Sequence, residues 1–184
     1  DGYPRNMRGI NILEWTAPLS RLASLGLHTI GIGDGGNEIG MGHIESYAIE
    51  DIVDHGDEIA CTVPTQELIV AGCSNWGGHA FVCSLYAMGH REVAGLLDEQ
   101  WHRGVLANIT AAGGLDGVKL VNIPTVDGLS ERQYYSQINA LSQLSLIESA
   151  FSRCDPWSTG SSDGCRRWIA AGVTHEPASS HPSR

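Results

Sequence analysis

One glycine-rich stretch constrains the fold of this chain more than any other. Residues 29–42 read T-I-G-I-G-D-G-G-N-E-I-G-M-G and contain six glycines. The apolar, β-branched run at 27–32 predicts a short buried strand, and the amphipathic pattern at 43–53 predicts a helix. Glycine permits positive φ and close backbone approach, so a tight polar loop joins the two. In α/β sheets, ligands bind where strands end in such loops.

Three polar side chains, Asp34, Asn37 and Glu38, lie among these glycines. One interpretation is a site, in which backbone N–H groups bind an anion while Asp34 and Glu38 transfer protons or hold a metal. The other is a tight turn whose Asp and Asn side chains cap backbone groups. The stretch also contains the spacing G-x-G-x-x-G, but its first two glycines fall within the strand, so no dinucleotide site is predicted.

The same architecture recurs further along the chain. Residues 67–73 predict a second buried strand, followed by a small polar loop with Ser74 and Asn75 and by a helix at 78–88. If the two strands are parallel neighbours, both loops emerge at one edge of the sheet. The side chains that would then line one cleft are Asp34, Asn37, Glu38, Ser74, Asn75 and His79.

The remaining segments extend this α/β pattern. Residues 92–112 and 129–151 predict helices, and 118–123 predict a third strand. We therefore expect a Rossmann-like three-layer sandwich with a mostly parallel sheet over residues 1–150, and this sheet could be incomplete at the N-terminus. Residues 151–184 are rich in Ser, Gly and Pro and predict a low-complexity, disordered tail. The chain does not begin with methionine, and we expect it to be a fragment or short isoform.

Charge and cysteine content narrow the class of function. The net charge is −10, with no basic stripe for nucleic acid and no Lys/Arg cluster for a membrane surface. The five cysteines lack a C-x-x-C pair, which predicts reduced thiols rather than a zinc site. Near the N-terminus, Arg5 and Arg8 could grip a substrate carboxylate, or could be solvated loop charges.

Six segments resemble, in order along the chain, the C-terminal domain of the D-glutamate cyclase family. They are N-M-R-G at 6–9, T-A-P at 16–18, G-I-G-D-G-G-N-E-I-G-M-G at 31–42, L-I-V-A-G at 68–72, S-N-W-G-G at 74–78 and P-T-V-D-G-L at 124–129. The long glycine stretch is the specific one. The resemblance ends before about residue 150.

The resemblance implies a hydro-lyase that cyclises D-glutamate to 5-oxo-D-proline and water. The reaction needs a base for the amine proton, an acid for the leaving oxygen and donors for the oxyanion. We expect Asp34 and Glu38 to be catalytic. The expected substrate-binding residues are Arg5, Arg8, Gly35, Gly36, Asn37, Ser74 and Asn75.

Two other functions remain open from the sequence. The chain could be a binding module for a metabolite or for a divalent metal such as Mg²⁺ or Mn²⁺, with Asp34, Asn37 and Glu38 as oxygen ligands. It could also be an inactive truncated isoform whose chemistry requires another domain. The resemblance further implies a mitochondrial location, in the matrix, since animal relatives are mitochondrial.

Overall fold

The computed structural model describes residues 3–17 and 19–151. Within these residues the chain forms two β-strands and five α-helices, with short 3-10 helices between them. The strands and α-helices are β1 (Ile30–Gly33), α1 (Ser46–Glu50), α2 (Gly56–Ile59), β2 (Glu67–Val70), α3 (Ser74–Ala87), α4 (Glu99–Ala111) and α5 (Glu131–Phe151). The 3-10 helices are Leu13–Trp15, Leu19–Ser24 and Arg91–Leu97.

Strands β1 and β2 pair in parallel, as the sequence predicts. Ile30 lies opposite Glu67 and Gly33 opposite Val70, so both strands end at the same edge of the sheet. Helix α3 packs closely on this sheet, because a Cβ at Gly77 would lie 2.8 Å from the Ile32 side chain. The α/β class is confirmed. The Rossmann-like three-layer arrangement and the domain boundary near residue 150 stay predictions.

The best-buried core lies between α3 and α5. Ile138 and Cys73 are each 0% exposed, and Tyr134 and Tyr135 complete the buried cluster. The Trp76 indole N–H reinforces the contact by donating to the Tyr134 carbonyl at 3.3 Å. Cys73 directly precedes α3, so this core fixes the loop that follows β2.

Two predicted elements have different boundaries in the structure. The segment at 43–53 forms only the short α1 before the chain turns through His55, at φ 61°, into α2. The segment at 92–112 is divided at Asp98, whose carboxylate accepts from Gln100 N at 3.0 Å and caps α4. An Asp cap starts a helix at its own position, which separates α4 from the preceding 3-10 turn.

The prediction of a third strand at 118–123 is wrong. This segment consists of turns in the structure. The buried Asp116 carboxylate accepts from the backbone N–H of Val118, Lys119 and Gly128 at 2.8–3.2 Å, which curls the chain around it. Leu120 takes a positive φ of 56°, which no strand allows.

The predicted tail beyond residue 151 lies outside the described residues, as does Pro18. Over the part of the chain that the structure describes, none of the helices combines the length and apolarity needed to cross a bilayer.

Candidate active site at the carboxyl ends of the strands

Asp34 joins the two loops that follow β1 and β2. It comes directly after β1, and its Oδ2 accepts a hydrogen bond from the backbone N–H of Ser74, the first residue of α3. The N-terminus of a helix carries partial positive charge, which favours a carboxylate there. The expectation that the two loops meet at one edge of the sheet is therefore confirmed for Asp34 and Ser74.

Glu38 folds back over the glycine loop and lies beside Asp34. Its two carboxylate oxygens accept from the backbone N–H of Gly35 at 3.0 Å and of Gly36 at 2.9 Å. Burial, and next a hydrogen bond with the Asp34 side chain, raise the pKa of Glu38. Glu38 thus retains a proton more readily than an ordinary carboxyl group, and it shares a hydrogen bond with the Asp34 side chain.

The loop at residues 3–12 covers the glycine loop from the other side. The Asn37 amide donates to the Arg5 carbonyl at 3.0 Å, and the Arg5 guanidinium donates to the Gly9 carbonyl at 2.5 Å. A Cβ at Gly35 would lie 2.8 Å from the Met7 sulfur, so glycine is required for this contact. Arg8 is exposed, and its guanidinium makes no ion pair within the described residues.

Asn75 and His79 contact α5 rather than Asp34 and Glu38. The Asn75 amide lies 3.5 Å from the Tyr134 hydroxyl. His79 is 3% exposed, and its Nε2 lies 3.2 Å from the Ile138 carbonyl and 2.9 Å from Ser142 Oγ. Of the residues expected to line one cleft, the structure brings Asp34, Glu38 and Ser74 together, while His79 belongs to the helical core.

The burial of His79 predicts an acid-sensitive stability. Burial, and next the neighbouring His102, lower the pKa of His79 from 6.5 to about 4. The unfolded chain binds this proton more readily, so stability is fully present above pH 6.5 and falls as the pH drops from 6.5 to 4. The loss from this group is at most about 3 kcal/mol, since one unit of pKa corresponds to about 1.4 kcal/mol.

Urea unfolding at several pH values measures this loss. Relative to the unsubstituted chain, His79→Gln should have a flatter stability profile between pH 6.5 and 4. His90→Gln is the matched control, because the His90 side chain is 54% exposed, and it should keep the original profile. Equal slopes in His79→Gln and the unsubstituted chain would contradict the assignment.

Cys73 and Asp127 join the site, although neither is among the site residues that the sequence predicts. The Cys73 thiol donates to Asp127 Oδ2 at 3.1 Å. The possible ligand atoms of Asp34, Cys73 and Asp127 all lie within 4.8 Å of one another. The signal available in the sequence is position, since Asp127 lies in the P-T-V-D-G-L segment and Cys73 ends the run before Ser74.

The Cys73 thiol is an unreactive member of this group. Burial, and next the hydrogen bond to Asp127, raise its pKa to about 12. The thiolate is the nucleophilic form of cysteine, and it is scarce at such a pKa. The groups at this edge of the sheet that could exchange protons are therefore the carboxyl groups of Asp34, Glu38 and Asp127. Adjacent carboxyl groups share protons and can act as an acid and a base.

Comparison with known proteins places these residues in a family context. The sequence model of a family described as "D-glutamate cyclase-like, C-terminal" matches residues 1–142. A similar protein is "D-glutamate cyclase, mitochondrial" of Homo sapiens, with 41% identity over 93 residues. That match covers 48% of this chain and 15% of the human protein, so the chain spans a small part of its relative's length.

Proposed function

Because this chain belongs to the D-glutamate cyclase-like, C-terminal family, we propose that it catalyses the cyclisation of D-glutamate to 5-oxo-D-proline and water. This is a carbon–oxygen hydro-lyase reaction on a small molecule. The observation that supports it is the adjacent pair Asp34 and Glu38 at the edge where both strands end. The name of the human relative supports the choice of reaction.

Asp34 acts as the base in this proposal. The neutral α-amino nitrogen of D-glutamate attacks the carbon of the protonated side-chain carboxyl group, and the nitrogen loses one proton as the new C–N bond forms. The Asp34 carboxylate takes a proton, while the Ser74 N–H and the N-terminus of α3 hold its Oδ2 in place. A positioned general base of this kind typically contributes about 10²–10⁴-fold to the rate.

Glu38 acts as the acid. Its raised pKa favours the protonated form, which in this proposal donates to the departing hydroxyl group so that it leaves as water. In the structure, the N–H groups of Gly35 and Gly36 bind the Glu38 carboxyl group rather than open space. In the proposal, these two N–H groups therefore hold the Glu38 carboxyl group beside Asp34. They can bind the substrate only if a substrate oxygen displaces a Glu38 oxygen from them.

The substrate carboxylates require cationic or polar partners around the cleft. Arg8 offers an exposed guanidinium on the loop at residues 3–12, and it is proposed to bind the α-carboxylate in a bidentate fork. Asn37 connects that loop to the glycine loop through the Arg5 carbonyl, which fixes their spacing. By analogy with the human relative, the proposed location is mitochondrial, in the matrix.

Product analysis tests the proposal directly. The full chain is incubated with D-glutamate and, separately, with L-glutamate, and 5-oxoproline is measured by chiral chromatography. Formation of 5-oxo-D-proline above the spontaneous background supports the proposal. A chain that unfolds cooperatively but forms no product overturns catalysis by this chain. The function is then a binding module, or an inactive isoform whose chemistry needs further sequence.

A divalent-metal module is the second candidate, and the cluster of Asp34, Cys73 and Asp127 favours it. The two carboxylates offer the oxygen ligands that Mg²⁺ and Mn²⁺ prefer, whereas a metal would have to displace the Cys73 proton. Calorimetric titration with MnCl₂ tests this function. Binding that Asp127→Asn abolishes supports it, and binding of equal strength in both proteins contradicts it.

A further inference from the structure

A cavity of about 280 Å³, open to solvent beside the exposed Trp101 and Ile109, lies between α3, α4 and the neighbouring helices. Five of its eleven lining residues are aliphatic, namely Val82 from α3, Leu96 from the 3-10 helix, and Val105, Leu106 and Ile109 from α4. The proposed catalysis uses none of these residues.

Hydrogen bonds between its walls keep this cavity open. Ser142 Oγ donates to the Leu97 carbonyl at 2.9 Å, so its oxygen accepts from the His79 Nε2–H at 2.9 Å. His79 Nδ1 then accepts from His102 Nε2–H at 3.1 Å. These bonds join α3, α4, α5 and the 3-10 helix, so the walls are fixed relative to one another.

The cavity favours an uncharged occupant. Its lining contains no Asp, Glu, Lys or Arg side chain among the described residues. The two imidazoles in the wall are neutral at pH 7, because burial lowers the pKa of both His79 and His102. An ion placed against the buried wall would lose part of its hydration without gaining a charged partner.

The size and polar groups of the cavity narrow the occupant further. A cavity of about 150 Å³ holds one benzene ring, so this one has room for a bicyclic ring system. Trp101 and His102 offer ring edges and faces at 5.1 Å between their centroids. At one end of the cavity, the side-chain oxygen of Asn75 and the hydroxyl hydrogen of Tyr134 have no partner within the described residues. They offer a bound molecule one hydrogen-bond acceptor and one donor.

We propose that this cavity is a second binding site, for an uncharged bicyclic heteroaromatic molecule that hydrogen-bonds to Asn75 and Tyr134. The site is separate from the carboxyl group cluster at the ends of the strands, since Asn75 and Tyr134 form its boundary on that side. Indole matches the cavity in size and lack of charge, and its N–H can donate to the Asn75 side-chain oxygen, so it serves as the probe of the cavity and of that hydrogen bond.

The test is a titration of the full chain with indole, followed through ¹³C-labelled methyl groups by NMR. Saturable shifts at Val82, Val105 and Ile109, with none at the distant Val63, are expected. Val105→Phe fills the cavity and should weaken indole binding about ten-fold or more. Asn108→Phe adds the same ring at an exposed position of α4 and should leave affinity unchanged.

Three results would overturn the second site. They are shifts that do not saturate, shifts that include Val63 equally, and equal affinity of the two Phe variants. If Val105→Phe fails to fold, the location of the shifts in the unsubstituted chain decides the question. Competition by D-glutamate would place indole at the proposed active site and would also overturn it. Loss of D-glutamate turnover alone does not affect this inference.

Discussion

Asp34→Asn should reduce formation of 5-oxo-D-proline by about 10²–10⁴-fold, the usual contribution of a general base. The amide occupies nearly the same volume and can still accept from the Ser74 N–H, but it cannot take a proton from the substrate amine. Steady-state turnover of D-glutamate measures the effect. The loss should fall mainly on kcat, because proton transfer occurs after the substrate is bound.

Asp51→Asn is the matched control, since Asp51 is an exposed carboxylate at the end of α1. It should retain full turnover. Glu38→Gln provides a second readout, because the assigned acid controls the alkaline limb of the pH–rate profile. That limb should disappear in Glu38→Gln. Unchanged turnover in Asp34→Asn would show that Asp34 is not the base and would contradict the proposed mechanism.

Ile138→Ala should lower the free energy of unfolding by about 2–5 kcal/mol, the range for truncating a buried aliphatic side chain. Ile138 is 0% exposed and packs in the core with Cys73, Tyr134 and Tyr135. Removing three carbon atoms loses their transfer free energy and leaves a cavity. Urea unfolding monitored by circular dichroism measures the change.

Leu144→Ala on the same helix is the comparison for this prediction. Leu144 is 59% exposed, so its truncation should change stability by no more than about 0.5 kcal/mol. A similar loss in both variants would mean that α5 is held by its overall length rather than by the core around Ile138. Such a result would contradict the packing described above.

The part of the site formed by the loops after β1 and β2 is predictable from the sequence, because it depends on local sequence patterns. An apolar run that ends in a glycine-rich polar loop indicates a strand and a site, and two such runs indicate parallel pairing. The structure confirms that pairing and the meeting of Asp34 with Ser74. The assignment of Glu38 as the acid stays a prediction, supported by its raised pKa.

The contact between Asp127 and Cys73 cannot be predicted from local sequence patterns. Asp127 reaches Cys73 across 54 positions of sequence, through a segment whose apolar residues predict a strand. That segment curls instead around the buried carboxylate of Asp116. The pattern of apolar residues cannot reveal that a single buried side chain will bind the backbone in this way. His79 is similar, since its partners on α4 and α5 lie 23 and more positions away.

The packing of α5 beneath the loop after β2 also sets an order of events during synthesis. The strands and the glycine loop are complete once residue 74 has been made, but Cys73 is covered by Tyr134 and Ile138. Asp34 and Glu38 find their hydrogen-bond partners within residues 34–74, but the loop after β2 gains its buried packing only after α5 has left the ribosome. A nascent chain that stops before Glu131 would leave Cys73, at the start of α3, exposed to chaperones and to solvent.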